Sequence, residues 1–306
     1  MLKKIAFTLL HAAGLTLLAA WWNRKRVIFL CYHGVTERAT RSSLDPRGLH
    51  IRHHRFAAQL DHLQKRYHVI SLSAYLEAVR AGRPLPDYSV VLTFDDGYRN
   101  FLTAAAPHLA QRGLPATVFI ITNNASEAGD PNADGRWSPK DDLSYLSWAE
   151  VQSLARGSGF EFGSHTCSHS RLLTLAPEDT ERELRDSYST LMSHLPQRAP
   201  ALSYPKGEHS PLLVKQARAI GYACAVTTDR GANTFDSDLF ALGRTLIGDD
   251  DDEAAFAVRL SGLRRGLLRL GSILLPPVFQ KRGGAHQRAP QHAAHVEDAN
   301  EYVGSD

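Results

Sequence analysis

The feature that most constrains the fold of this 306-residue chain is an alternation of short apolar runs with longer amphipathic stretches. Runs rich in Val, Ile, Phe and Tyr are typical of strands that are buried on both faces of a parallel sheet. The amphipathic stretches have the length of crossover helices, which join such strands in a right-handed sense. Seven or eight of these units favour an α/β fold closed into a distorted (β/α) barrel over an open sheet of four or five strands.

The individual elements follow from this pattern. Strands are predicted over residues 27–33, 68–72, 89–95, 116–121, 160–164, 201–204, 222–227 and 241–247. Helices are predicted over residues 55–66, 72–81, 101–112, 148–156, 177–194 and 211–220. A long polar loop over 123–144 is expected to be either a lid beside a site or surface decoration.

The composition is that of a globular protein, with 43% hydrophobic and 22% charged residues. It excludes disordered, collagen-like and multi-span membrane proteins. The formal net charge of +3 gives no dense basic face, so we expect no nucleic-acid partner. The three cysteines, Cys31, Cys167 and Cys224, are too few for a disulfide framework and are interpreted as small buried hydrophobic residues.

Residues 5–22 form an 18-residue stretch without charged side chains. Basic residues at 3–4 and 24–26 flank it, together with the tryptophans at 21–22. A helix of this length reaches about 27 Å, enough to cross a thin bilayer. We expect residues 1–26 to be an uncleaved single-pass anchor in membrane lipid, with a cleaved signal peptide and a buried helix as alternatives. The domain is expected outside the cytoplasm, although the flanking charges leave the cytoplasmic side open.

Three further segments follow this anchor. Residues 27–250 are expected to be the catalytic domain, 251–280 a basic amphipathic helix and 281–306 a disordered tail without apolar periodicity. The helix, predicted over 253–275, fits either packing against the domain or contact with an anionic membrane surface.

The first group of chemically active residues is Asp95, Asp96 and Gly97, directly after an apolar run. Two adjacent carboxylates behind a buried strand resist joint ionisation, because like charges repel each other. A cation removes this conflict, since one carboxylate can ligate it while the other stays free as a base. An ordinary surface turn explains the same residues equally well.

The second group is a pair of histidines, His165 and His169, that follows the predicted strand 160–164. Their four-residue spacing lets both rings reach one metal ion from one face of a turn. Two imidazoles and one carboxylate leave coordination positions open, which is typical of a catalytic divalent site. Cys167 lies between them, is expected to point away from their shared face and is interpreted as packing.

Three segments in this order resemble the polysaccharide deacetylase family, the NodB-homology or carbohydrate esterase family 4 domain. They are residues 93–98 (Thr-Phe-Asp-Asp-Gly-Tyr), 164–169 (Ser-His-Thr-Cys-Ser-His) and 202–207 (Leu-Ser-Tyr-Pro-Lys-Gly). The stretches 29–35 and 227–234 are most similar to the branch that acts on exopolysaccharides. The resemblance covers about residues 27 to 247 and implies a distorted (β/α) barrel.

The resemblance also implies roles for individual residues. Asp96, His165 and His169 would bind one divalent metal ion, most often zinc, with cobalt, nickel and manganese as alternatives. Asp95 would be the general base. Beside these implied roles, we expect the backbone N–H of Lys206 to stabilise the oxyanion and Tyr204 to lie at the substrate.

The chain departs from the family pattern in two residues: the one that orients the base and the one that supplies the general acid. Ser203 stands where many members carry an arginine that orients the base, and we expect Arg244 to take over that task. The late histidine that supplies a general acid in many members has no counterpart, and we expect His33 to replace it. A buried structural histidine and an arginine unrelated to the site are the alternatives.

The expected reaction is metal-assisted hydrolysis of N-acetyl groups on an amino-sugar polymer. An O-acetyl esterase on the same scaffold remains an alternative. So do an inactive, membrane-anchored carbohydrate-binding module and a metallohydrolase of another amide or phosphoester. The expected partners are an N-acetylated glycan as substrate and, beside it, other proteins of polysaccharide biosynthesis.

Overall fold

Eight parallel strands form the central sheet of the computed structural model, which describes residues 2–36, 48–127, 144–157, 159–195, 199–229 and 231–263. A separate parallel pair, β2 and β3, lies outside that sheet. In chain order the strands are β1 (Ile28–Tyr32), β2 (Gly34–Thr36), β3 (His50–Arg52), β4 (His68–Val69), β5 (Ser89–Phe94), β6 (Ala116–Ile120), β7 (Phe160–Ser164), β8 (Leu202–Ser203), β9 (Ala225–Val226) and β10 (Arg244–Leu246).

The sheet follows the order β10-β1-β5-β6-β7-β8-β9, and β4 pairs with the start of β5. A parallel bridge between Val226 of β9 and Leu242, two residues ahead of β10, brings the two ends of this path together. The prediction of an α/β fold around a parallel sheet is therefore confirmed. The bridge between the sheet ends agrees with the expected distorted barrel.

Helices cover the sheet because each parallel strand must return to the same edge. In chain order they are α1 (Leu2–Ala12), α2 (Leu15–Trp22), α3 (His53–Arg66), α4 (Leu72–Arg80), α5 (Ala106–Gln111), α6 (Trp148–Gly157), α7 (Pro177–His194), α8 (Pro211–Ile220) and α9 (Glu253–Ser261). The bounds of α7 and α8 agree with the sequence pattern, since a proline at the first helical position marks each start. Residues 101–112, predicted as one α-helix, begin with a π-helical turn, Phe101–Ala105, before α5.

All six residues of β5 are buried, as expected for a strand covered on both faces. Its neighbour β1 is likewise buried throughout and pairs with β5 on one side and β10 on the other. Asp95 and Asp96 follow β5, and His165 follows β7, so the carboxyl ends of the sheet carry the residues singled out by the sequence.

The predicted single helix over residues 5–22 is wrong in this structure, because the chain breaks between α1 and α2. Gly14 has a φ of 72°, a left-handed conformation that ends one helix and starts the next. Among the described residues, no helix alone is long and apolar enough to cross a membrane; Ile5–Ala12 and Leu15–Trp22 qualify only as a pair bent by 74°.

The C-terminal helix is shorter than predicted where the structure describes it. α9 ends at Ser261, and Gly262 follows in the left-handed conformation that commonly terminates helices. Its Phe256, Val258 and Leu260 are buried, so α9 is a packing helix. Residues 264–306 and 128–143 lie outside the described residues, and with them the predicted tail and most of the predicted polar loop.

Replacing Gly163 of β7 with alanine is expected to lower the free energy of unfolding by about 1–3 kcal/mol, because the new methyl group would overpack the sheet. It would lie 2.7 Å from the carbonyl oxygen of Ala201 and 2.7 Å from the ring of Phe119. Gly157→Ala is the matched control, since a Cβ there meets no atom within 4 Å. Urea unfolding measures both variants, and equal stability of the two would contradict the close approach.

Candidate metal centre and active site

The chain turns sharply after β5, and this turn separates the two adjacent carboxylates. The N–H of Asp95 still donates to Tyr32 of β1 at 2.9 Å, so Asp95 continues the sheet. Asp96 and Gly97 both have a φ of 72°. Because this left-handed conformation turns the backbone directly after Asp95, the side chains of Asp95 and Asp96 enter different surroundings.

Asp96, His165 and His169 converge and are called here the Asp-His-His cluster. Asp96 Oδ1 lies 3.4 Å from His165 Nε2 and 3.7 Å from His169 Nε2. One potential ligand atom from each residue lies within 4.8 Å of the others, a spacing that suits a single metal ion.

Three observations indicate that the Asp-His-His cluster fits a divalent cation. Asp96 Oδ1 is buried and has no hydrogen-bond partner, which is costly for a carboxylate unless a cation lies beside it. His165 Nδ1 lies 2.8 Å from the carbonyl oxygen of Ser203 and donates its proton there, which turns Nε2 towards Asp96. Burial, followed by the neighbouring His165, lowers the pKa of His169 to about 4, so this ring is neutral and able to ligate at neutral pH.

Asp95 is held instead by Arg244, which is fully buried. The guanidinium donates to both carboxylate oxygens, from Nη1 to Oδ1 and from Nη2 to Oδ2, at 2.7 Å each. Its other N–H groups donate to Thr227 O at 2.9 Å, Thr93 Oγ1 at 3.1 Å and Ser203 Oγ at 2.9 Å. All five donors of Arg244 are thus used, and one of them contacts Ser203.

This pairing sets the charge of Asp95. Burial alone would raise the pKa of this carboxyl group, but the charge and hydrogen bonds of Arg244 outweigh burial and hold the pKa well below its usual range. Asp95 is therefore an ionised carboxylate with a fixed orientation throughout the neutral pH range.

His33 and Cys31 lie on the other side of Asp95. A ring nitrogen of His33, the Cys31 thiol and an Asp95 oxygen are within 4.8 Å of one another. Burial lowers the pKa of His33, and its Nδ1 is buried without a hydrogen-bond partner. Because Arg244 already occupies both oxygens of Asp95, this second group suits a cation less well than the Asp-His-His cluster.

The two residues predicted at the oxyanion have different positions. Lys206 is exposed on a short 3₁₀ turn after β8 and has a φ of 59°. The side chain of Tyr204 is fully buried, and its hydroxyl donates to Phe240 O at 3.2 Å. The prediction that Tyr204 faces the substrate is therefore wrong for its side chain, which belongs to the core.

The turn that presents the two histidines is held from α7 by Glu183. Its carboxylate accepts hydrogen bonds from the backbone N–H groups of Cys167 and Ser168, both at 3.0 Å, and from the Ser168 hydroxyl at 2.6 Å. Within the turn, Thr166 and His169 have positive φ values of 67° and 59°. Such conformations cost about 1–3 kcal/mol each and persist where surrounding contacts fix them.

An aromatic pair lies beside the cluster. The rings of Tyr98 and Tyr145 stack with centroids 5.3 Å apart, and both residues are only half-buried. The pair lies near the Asp-His-His cluster, because Tyr98 follows Asp96 by two residues and forms an antiparallel bridge with Tyr145. Burial raises the pKa of Tyr145, and the charge of Asp96 raises it further. Tyr98 closes the first sequence segment and was within reach of sequence reasoning, whereas no pattern in the sequence marks Glu183 or Tyr145.

The comparisons with known proteins agree with this geometry. A family model described as polysaccharide deacetylase matches residues 82–225. This range contains the Asp-His-His cluster and Asp95, whereas His33 and Arg244 lie outside it.

One curated relative is the poly-beta-1,6-N-acetyl-D-glucosamine N-deacetylase of Escherichia coli. It is 25% identical over 269 residues, which cover 78% of this chain and 39% of the relative. The chain therefore spans less than two thirds of the length of this relative.

Two solved structures share the fold. The Streptococcus pyogenes deacetylase PplD, in complex with acetate, has a TM-score of 0.66 and 23% identity over 77% of this chain and 98% of its own. IcaB from Ammonifex degensii has a TM-score of 0.63 and 23% identity over 76% of this chain and 97% of its own. At these identities the similarity establishes the fold alone.

Replacing Glu183 with glutamine is expected to weaken Zn²⁺ binding by about 10–100-fold, because residues that orient metal ligands contribute that much to affinity. The amide keeps one acceptor oxygen but loses the charge that holds the turn. Glu181→Gln on the same helix is the control, since the Glu181 side chain is half-exposed and forms an ion pair with Arg185. Competition with a zinc chelator measures the dissociation constants; equal affinity of both variants would remove Glu183 from the metal centre.

Replacing Arg244 with methionine is expected to lower the free energy of unfolding by about 3–5 kcal/mol, because Asp95 is left buried with an unpaired charge. Adding Asp95→Asn to that variant should recover part of the loss, since the orphaned charge is gone. Urea unfolding of the double-mutant cycle measures the coupling. Arg218→Met, which breaks an exposed ion pair with Asp238, should leave stability nearly unchanged. Additive effects at positions 95 and 244 would refute the pairing.

Proposed function

We propose that this chain, which belongs to the polysaccharide deacetylase family, is a metal-dependent hydrolase that removes N-acetyl groups from a polymer of amino sugars. The observation that carries this proposal is the contrast between two neighbouring carboxylates. Asp96 faces the imidazoles of His165 and His169 with an unpartnered oxygen, while Asp95 is ionised and held by Arg244. One strand end thus presents a metal ligand and a separate base.

The Asp-His-His cluster would hold the metal ion, with zinc as the first candidate because two imidazoles and a carboxylate are common zinc ligands. A zinc ion bound there would lower the pKa of a water molecule and polarise the acetamide carbonyl group. His165 is already oriented for this role by its bond to Ser203, and Glu183 holds the turn that carries His169.

Asp95 accepts the proton of the attacking water. Arg244 keeps the carboxylate in one orientation, since both of its oxygens are fixed by hydrogen bonds. The proton then passes to His33, which has a ring nitrogen within 4.8 Å of Asp95, and from His33 to the nitrogen of the leaving amine. One water molecule and one acetamide thereby give acetate and a protonated amino sugar. Steps of this kind contribute about 10²–10⁴-fold each.

The oxyanion formed by the attack needs a hydrogen-bond donor, and the backbone N–H of Lys206 is our candidate. Lys206 lies in the turn after β8, and β8 pairs with β7, the strand that precedes His165. The backbone of Lys206 is left-handed, and its carbonyl oxygen accepts a hydrogen bond from Thr228 Oγ1 at 2.9 Å. Removing one such donor typically costs about 2.7–4 kcal/mol of transition-state stabilisation.

The substrate class follows from the relatives and from the aromatic pair. Curated relatives from E. coli and Staphylococcus epidermidis are named poly-beta-1,6-N-acetyl-D-glucosamine N-deacetylases, which favours a polymer of N-acetylglucosamine for this chain. Tyr98 and Tyr145 offer a half-buried aromatic surface beside Asp96, on which the apolar face of a sugar ring can pack.

The roles of the two carboxylates are separated by their asparagine variants. Asp95→Asn should retain stoichiometric zinc while acetate release from N-acetylglucosamine oligomers falls by at least about 10²-fold, because the base is lost. Asp96→Asn should lose zinc affinity, and excess Zn²⁺ should partly restore its activity. Metal content and acetate release are measured on each folded, purified variant.

Asp236→Asn, on the exposed surface, is the matched control and should retain both zinc and activity. If Asp95→Asn is instead the variant that loses zinc, the two roles are exchanged. If both variants keep full turnover, the deacetylase proposal fails.

A further inference from the structure

The two N-terminal helices are amphipathic in the sense opposite to that of an ordinary surface helix. On α2, the side towards the domain carries Thr16, which is 2% exposed, and two half-buried alanines at 19 and 20. The side towards solvent carries Leu17, Leu18, Trp21 and Trp22, and the last of these is 78% exposed. A soluble helix places its large apolar side chains against the core instead.

α1 extends the same apolar surface. Its Ile5 and Leu9, four residues apart and hence on one face, are 48% and 65% exposed. Both helices nevertheless pack against α9, and Asn23 at the end of α2 donates to Ser261 O at 3.0 Å. The hairpin is therefore a fixed part of the domain, and its exposed apolar face does not come from a loose terminus.

Basic residues border this face at the amino ends of the strands. Lys25 and Arg26 are exposed immediately ahead of β1, and Lys65 and Arg66 are exposed immediately ahead of β4. The register pairs Ile28 with Val90 and His68 with Ser89, so both basic pairs lie at the same edge of the sheet. Apolar residues including two tryptophans, bordered by cations, match the interfacial layer of an anionic bilayer.

Neither helix has the length to span a bilayer, because eleven and eight residues reach only about 16 Å and 12 Å. A bend of 74° between them and their contact with α9 fit helices that lie along a surface. We propose that α1 and α2 form a hairpin that docks the domain in the plane of an anionic lipid bilayer.

The docked orientation follows from the sheet. The hairpin joins the amino ends of β1 and β5, where the N–H of Tyr88 donates to Arg24 O at 2.6 Å. The Asp-His-His cluster lies at the carboxyl ends, and the six residues of β5 separate the two by about 20 Å. The site therefore faces away from the bilayer and receives a glycan chain from the aqueous side; this part alone rests on the proposed function.

Flotation of the purified full chain with preformed vesicles tests the docking. Vesicles of phosphatidylcholine with 30% phosphatidylglycerol should bind the protein at least about tenfold better than pure phosphatidylcholine vesicles. Combining Leu18→Glu with Trp22→Glu should abolish binding, and Lys25→Glu with Arg26→Glu should remove the preference for phosphatidylglycerol. Leu212→Glu, at an exposed leucine on α8, is the matched control and should bind normally. The proposal is overturned if the protein is a monomer that binds neither kind of vesicle. It is also overturned if the protein is a dimer that the Leu18 and Trp22 substitutions separate, because the apolar face would then bind a second copy of the chain.

A cysteine at position 3 distinguishes a hairpin in the plane from a spanning segment. In sealed vesicles, a membrane-impermeant thiol reagent added outside should label Lys3→Cys, whereas the native cysteines, all buried, serve as the unlabelled background. Protection of position 3 would place it across the bilayer and refute the in-plane arrangement.

Acetate release from soluble oligomers should be equal with and without vesicles. Loss of activity only with vesicles would contradict the orientation, while absence of activity in both would contradict only the proposed enzyme.

Discussion

Arg244 donates all five of its guanidinium N–H groups inside the domain, and two of them hold the carboxylate of Asp95. A buried arginine with unpaired donors would destabilise the fold by several kcal/mol, so every acceptor must be in place. These acceptors belong to four residues of three strand regions: Thr93 of β5, Asp95 directly after β5, Ser203 of β8 and Thr227 directly after β9. One ion pair therefore ties the edge that carries the Asp-His-His cluster to the correct assembly of distant strands.

The same pair resolves the conflict between two adjacent carboxylates. Asp95 has its compensating charge in Arg244, while Asp96, rotated away by its left-handed backbone, faces His165 and His169. Each carboxylate thus has its own electrostatic environment, which is consistent with the proposed division into a base and a metal ligand. Four of the five non-glycine residues with positive φ among the described residues lie at this edge: Asp96, Thr166, His169 and Lys206. Strained backbone concentrates where geometry matters for chemistry.

The two ends of the sheet differ in character. The carboxyl ends gather the carboxylates, imidazoles and the tyrosine pair, and they do so because parallel strands all end at one edge. The amino ends carry an apolar hairpin and basic residues instead. A parallel sheet separates these two surfaces by the length of a strand, so the proposed substrate site and the proposed bilayer contact need not compete for the same face.

The sequence by itself determined what depends on local pattern. The alternation of apolar and amphipathic segments gave the α/β class, the bounds of β7, α7 and α8, and the placement of Asp95, Asp96, His165 and His169 at strand ends. These features follow from the side-chain periodicity and capping of neighbouring residues. Arg244 was also within reach, but only as a substitute for an arginine missing at position 203.

Only the tertiary structure decided which distant residues meet. Arg244 lies 149 residues from Asp95 along the chain, and Glu183 reaches the histidine turn from a separate helix. The core position of Tyr204 and the outward apolar face of α2 likewise depend on which segments pack together. A break at Gly14 replaced the expected single helix, and both short helices pack on α9. Local periodicity carries no information about such partners, since contacts between remote segments are fixed only when the sheet order is fixed.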